Sequence, residues 1–310
     1  MSTDQVFESE SLKQYSPDAP APQGLLEIDG EVFRRDFNRK PFLIHHDLAN
    51  HPSFTLPQLI ALARRHPEKY VAHNAGDVSV AEGLYQGPST GLSVEETIRR
   101  IEECRSWMVL KRVEEDPEYR ELLDQCLDQI QPLSEPLYPG MRSREAFIFI
   151  SSPNSVTPYH MDPEHNFLLQ VRGRKSVHMW DPSDRSVLSE RELEEFFASG
   201  ESINLKYKAE IQSRASVFEL TPGMGLHFPV TVPHWVQNGD GVSISFSITF
   251  QTPWSDRRAA LYTANHGLRR LGINPAPVGR SSIRDSAKFF TYRVLRKARA
   301  VGQRAVTRSR

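Results

Sequence analysis

From Glu145 onward the chain alternates in twos. Val242, Ile244, Phe246, Ile248 and Phe250 interleave with Ser243, Ser245, Ser247 and Thr249, which predicts a strand with one apolar and one hydroxylated face. Five more short stretches, broken by Gly, Pro and Asp, predict strands: Ala146–Ile150, Asn166–Val171, Lys175–Trp180, Ala215–Leu220 and Gly225–Pro229. Many short strands with turn signals predict a sandwich or jelly roll. The pattern differs on either side of this block. Helical signals mark Glu31–Phe37, Thr55–Arg65, Ser93–Arg105 with a capping box at Ser93 and Glu96, and Glu118–Ile130 behind Asp116-Pro117. Pro41–His45 and Ser106–Leu110 read as short strands between them. Glu190–Ser199 is expected to be a helix crossing from one half of the roll to the other. After Pro253 the chain reads as helical, interrupted at Gly272–Gly279. There Ile283, Ala287, Phe290, Val294 and Val301 form a stripe that should pack on something.

This patterning divides the chain into a polar, proline-bearing lead-in (1–25), an N-terminal α/β part (26–139), a roll (140–255) and a C-terminal helical region (256–310). The fold class is mainly β with flanking α. With 310 residues, 38% of them hydrophobic, a sizeable core is within reach. The start has neither a basic nor an apolar signal region, and no run approaches the length of a membrane span. The only cysteines, Cys104 and Cys126, suit a reducing compartment and exclude a cysteine-based zinc site. Cytoplasmic location without a membrane span is therefore the expectation. Net charge is −1, yet residues 281–310 hold nine Lys or Arg against Asp285 alone. Such a block can attract nucleic acid, acidic lipid or an acidic protein, or can be a solvated helix face.

Candidate chemistry concentrates in Pro153–Pro182. His160 and Asp162 are two apart, so in an extended strand an imidazole and a carboxylate would project to one face and could share a cation. Two His and one carboxylate with open positions suit non-haem Fe(II). The third ligand is sought in the second half of the roll. His234, within Pro233-His234-Trp235, is the choice, with His227 and His165 as rivals. Lys175 begins a strand whose face it shares with Val177 and Met179, and a lysine on a core-facing side needs an anion. Outward-facing and solvated is the alternative. The hydroxyl face of 242–250 likewise either meets water or brings Ser247 near a ligand.

Taken together, His160, Asp162, Asn166, Lys175 and Pro233-His234-Trp235 resemble the motif set of the JmjC-type cupin family of Fe(II)- and 2-oxoglutarate-dependent oxygenases. The resemblance runs loosely over residues 30–255 and is tightest over 157–182 and 223–249. It implies a double-stranded β-helix, the jelly roll of cupins, with His160, Asp162 and His234 as iron ligands. Lys175 and Thr157 would hold the distal carboxylate of 2-oxoglutarate, and Asn166 and Ser247 would lie near that cosubstrate. No catalytic residue is implied beyond the metal centre. The implied reaction consumes dioxygen and 2-oxoglutarate, yields succinate and carbon dioxide, and hydroxylates a protein side chain or a small molecule. Two departures stand out: Ser247 replaces a common Asn, and the family's carboxylate-binding Tyr has no match around Trp107–Leu110. Tyr85, Tyr159, His227 and Trp235 are expected at the pocket border, and His165 in a supporting or surface role. A second reading is a metal-binding cupin that senses a small molecule or serves as an interaction module, its basic tail contacting nucleic acid. A third makes the C-terminal helices a homodimer surface.

Overall fold

Two antiparallel sheets face each other across the interior of the computed structural model, which describes residues 24–199 and 205–308, with side chains through 297. The expected lead-in falls almost wholly outside these residues. Four strands form the smaller sheet, in the order β6 (Val156–His160), β11 (His234–Asn238), β8 (Lys175–Met179) and β9 (Ser216–Leu220). Opposite lie β10 (Met224–Phe228), β7 (His165–Arg172), β12 (Ser243–Gln251) and β5 (Arg142–Ser151). The N-terminal half extends this second sheet at both edges, with β1 (Leu26–Glu27) and β2 (Phe42–His46) beyond β10, and β4 (Ser106–Lys111) and β3 (Val71–Ala75) beyond β5. All pairings are antiparallel. The result is the jelly roll, mainly β with flanking helices.

The alternation in β12 explains how the layers stack. Its apolar face is fully buried against the large outer core, where Phe33 and Phe37 of helix α1 (Gly30–Asp36) and its C-terminal cap stack on Phe167, and Phe37 also stacks on Phe250. Helix α4 (Pro117–Ser134) adds Tyr119, Leu123, Leu127 and Ile130 to the same core. The hydroxyl face does not meet water: Ser243, Ser245, Ser247 and Thr249 are all buried and look into the roll. Ser245 Oγ donates to Gln170 Oε1 (2.7 Å), and Gln170 Nε2 donates to the Arg172 carbonyl (2.7 Å) and Ser243 Oγ (3.1 Å). These bonds satisfy polar groups that would otherwise be costly inside a sandwich. Between the sheets, Leu168, Val177, Met179, Leu220, Leu226, Phe228 and Val236 form a separate apolar cluster.

Several expectations are corrected. The helix expected over Ser93–Arg105 is α3, Val94–Arg99, with its capping box intact. It stops because the Ile101 carbonyl accepts from Ser152 Oγ (2.5 Å) and Arg105 turns left-handed (φ 48°) into β4. β6 ends at His160, so Asp162 lies beyond the strand and not on its face. Helices α2 (Leu56–Arg65), α5 (Glu190–Ser199), α6 (Pro253–Arg270) and α7 (Ser282–Arg308) occur in the predicted regions. The described part of the α7 stripe, however, does not pack on the body: Ile283, Phe290 and Val294 are exposed, and the opposite face is the one that docks, while the Val301 side chain lies outside the described residues. No described helix is long and apolar enough to cross a membrane.

Candidate metal and cosubstrate site

Cross-strand registry assembles the site. His234 opens β11 opposite His160 at the end of β6 on one side and Met179 on the other. Just past β6, the chain bends so that Asp162 reaches the same point, held by Thr231 N–H donating to the Asp162 carbonyl (2.8 Å). One ligand-type atom from each of His160, Asp162 and His234 lies within 4.8 Å of the others, and Asp162 Oδ2 is 3.8 Å from His234 Nε2. The convergence that strand periodicity predicted thus comes from a strand end and a bend.

Both imidazoles are oriented from behind. His160 Nδ1 lies 2.6 Å from the Pro158 carbonyl, and His234 Nδ1 lies 3.0 Å from that of Val232. A carbonyl only accepts, so each Nδ1 carries the proton and each Nε2 presents its lone pair to the centre. Burial, followed by the neighbouring His160, holds His234 well below the usual imidazole pKa, which keeps it neutral and able to ligate. The rivals are spoken for. His227 Nε2 accepts from Asn38 N–H (3.0 Å), so its Nδ1–H donates to the Asn166 carbonyl (3.0 Å). His165 is neither a ligand nor a surface residue. It is fully buried on the helix-covered face, packed against both Phe37 and Phe250.

A cavity of about 100 Å³ opens onto the three residues. Thr157, Asn166, Lys175 and Ser247 all line it, as do Glu164, Leu84, Tyr85, Trp107, Phe147 and Phe149. Lys175 is 5% exposed, shares its face with the buried Val177 and Met179, and has no ion pair or hydrogen bond from its ammonium among the described residues. Burial lowers its pKa to about 7. It sits four strand positions from the level of His234, about 13 Å at the usual rise. Ser247 Oγ donates to Asn166 Oδ1 (2.8 Å), which leaves the amide NH₂ of this cavity-lining residue free to donate elsewhere. Glu164 is pushed up to about 8 by burial and by Asp162.

A model of the cupin-like domain matches residues 93–256, more than half of the chain. The chain belongs to the cupin-like domain family. This cupin-like chain is 30% identical over 118 residues to HSPB1-associated protein 1 of Rattus norvegicus, covering 36% of the chain and 25% of that protein. It is 31% identical over 102 residues to lysine-specific demethylase 8 of Danio rerio (31% and 24%) and 29% identical over 106 residues to JmjC domain-containing protein D of Dictyostelium discoideum (32% and 23%). The chain thus spans about a quarter of the length of these curated relatives. Among solved structures, the Escherichia coli ribosomal oxygenase YcfD with cobalt and 2-oxoglutarate aligns with a TM-score of 0.49 and 14% identity, covering 87% of this chain and 67% of that one.

Of the pocket residues expected from sequence, Tyr85 is at the cavity, under Lys111 Nζ at 4.0 Å and beside Trp107. The other three are elsewhere. His227 is in the outer core, Tyr159 packs on Trp180, and Trp235 stacks on His178 outside the roll. Sequence reasoning missed Phe147, Phe149 and Glu164. The two phenylalanines were signalled by the alternation of Ala146–Ile150, where they face away from the buried Ile148 and Ile150. Glu164 follows β6 in a bend and carries no periodic signal.

Proposed function

We propose that this protein is an Fe(II)- and 2-oxoglutarate-dependent oxygenase that hydroxylates a C–H bond of a protein side chain or small molecule. The observation that carries the reading is the buried, unpaired Lys175 lining the same cavity as His160, Asp162 and His234. A cation in that position is costly unless an anion meets it, and a short dicarboxylate anchored at the metal would supply one.

The residues fit such a pair of groups. The Nε2 atoms of His160 and His234 and the Asp162 carboxylate would hold the metal, a donor set that suits non-haem Fe(II). When bound, iron and 2-oxoglutarate supply the oxidising chemistry, with release of succinate and carbon dioxide. Lys175 and Thr157 would grip the distal carboxylate. Asn166, aligned by Ser247, would offer its NH₂ to the cosubstrate. Phe147, Phe149, Trp107 and Leu84 keep the cavity wall apolar and limit water around the reacting C–H. The chain's own role is binding, orientation and exclusion of water; no acid–base pair is required.

The test is formation of succinate from 2-oxoglutarate with added Fe(II) under air. Turnover that is abolished in His234→Ala supports the reading. Turnover equal in wild type and His234→Ala argues against it, and so does failure of the metal-loaded protein to bind the cosubstrate.

A further inference from the structure

We infer that α7 is a surface-lying amphipathic helix whose outward face binds anionic lipid. The inference is independent of the chemistry in the roll and rests on the two opposed faces of this helix.

At 27 residues, α7 is about 40 Å long. One face is occupied. Asp285 is buried and accepts from Gly279 N–H (2.7 Å), Lys288 Nζ donates to the Ala276 carbonyl (2.8 Å), and Arg257 of α6 lies over the Phe289 ring (4.9 Å). Asp285, Lys288, Phe289 and Tyr292 follow the i, i+3, i+4, i+7 spacing of a single docked stripe and are buried or half-buried. Ile283, Ala287, Phe290 and Val294 keep the same kind of register, i, i+4, i+7, i+11, about 180° away around the axis. They point away from the body: Ile283 is 82% exposed, Phe290 70% and Val294 50%. In the sequence, Val301 and Ala305 continue the register.

The flanks decide what covers this face. Arg293 and Lys297 border the stripe on one side and Arg284 on the other, all exposed. The only acid of residues 281–310, Asp285, is turned inward. A second copy of α7 laid on the stripe would oppose these cations with others like them and offer no acid in return. Nucleic acid would satisfy the cations but leave Ile283, Phe290 and Val294 in water. An anionic bilayer surface takes up both, apolar side chains at the acyl boundary and cations among the headgroups, while long Arg and Lys side chains snorkel outward. The mean hydropathy of the helix is far too low to span, as an interfacial helix requires.

Co-sedimentation of the full chain with phosphatidylcholine vesicles, with and without phosphatidylglycerol, tests the assignment. The expected result is binding that is at least about tenfold tighter to the anionic vesicles and weakens as salt is raised. Phe290→Glu, at an exposed position, should reduce that binding by at least about tenfold with an unchanged circular dichroism spectrum. Arg293→Gln with Lys297→Gln should flatten the salt dependence. The proposal is overturned if the wild-type chain ignores anionic vesicles or if Phe290→Glu binds them as well as wild type. It is also overturned if light scattering shows a dimer that Phe290→Glu dissociates, because the stripe is then an interface between copies.

Discussion

Lys175 is the residue on which structure and chemistry disagree most usefully. Its ammonium has no counter-ion among the described residues, and burial lowers its pKa to about 7. Between there and the unfolded value near 10.5, the unfolded chain binds more protons, so the lysine's contribution to stability improves as pH rises through that window. Below it, the full cost of a buried charge is felt. Lys175→Met should therefore raise the melting temperature of the ligand-free protein at neutral pH, as calorimetry would show. The same change removes charge-assisted hydrogen bonds worth about 1.5–3 kcal/mol each and should weaken 2-oxoglutarate binding by at least about tenfold. A variant that loses stability and keeps affinity would contradict this role. Because the dicarboxylate requires the protonated amine, wild-type affinity should fall as pH rises above about 7, by up to about tenfold per unit. His160 and Asp162 were readable as a pair from their spacing, and His234 from the Pro233-His234-Trp235 turn, because short spacing and turn residues are local signals. Which of His234, His227 and His165 turned inward was not local. It depends on whether Asn38, 189 positions from His227, comes to claim the rival's lone pair.

At the scale of elements, alternation carried the long strands because each buries different chemistry on its two faces. β12 shows this most clearly, with phenylalanines toward the helices and hydroxyls toward the cavity. β3 and β6 lacked that signal. β3 is half-buried on every residue, and β6 carries Pro158 with no apolar alternation. The bend between β7 and β8 is fixed by Gly173, whose φ of 74° favours glycine and where an added Cβ would lie 2.4 Å from the Val242 carbonyl oxygen. Gly173→Ala should cost about 1–3 kcal/mol in denaturant unfolding. Since Lys175 starts two residues later, the variant should also weaken cosubstrate binding. Unchanged stability would mean that the bend is not held as described.

The whole molecule carries a pH dependence of its own. Burial lowers His46 and His165 each to about 4, from 6.5. In that interval the unfolded chain takes up protons the folded chain refuses, so stability is full above about 6.5 and is lost as pH falls toward 4. Each histidine accounts for up to about 3 kcal/mol of that loss. His165→Phe, which fits among Phe37 and Phe250, should flatten the acid limb of a melting-temperature profile; an unaltered limb would refute the assignment. The architecture was legible as a roll between helical flanks because strand length and turn spacing are set locally. Less legible was which face of α7 docks, since Asp285 and Phe289 are chosen by partners on α6 and in the preceding turn.

In the proposed function the roll holds a metal and a dicarboxylate together, with Lys175 as the anion's partner. Anaerobic titration calorimetry of 2-oxoglutarate into the metal-loaded chain tests it most directly. The expected result is saturable one-to-one binding that requires the metal, is lost in His234→Ala, and falls at least about tenfold in Lys175→Met. Absence of binding to the metal-loaded wild type, or equal affinity in wild type and Lys175→Met, would contradict it.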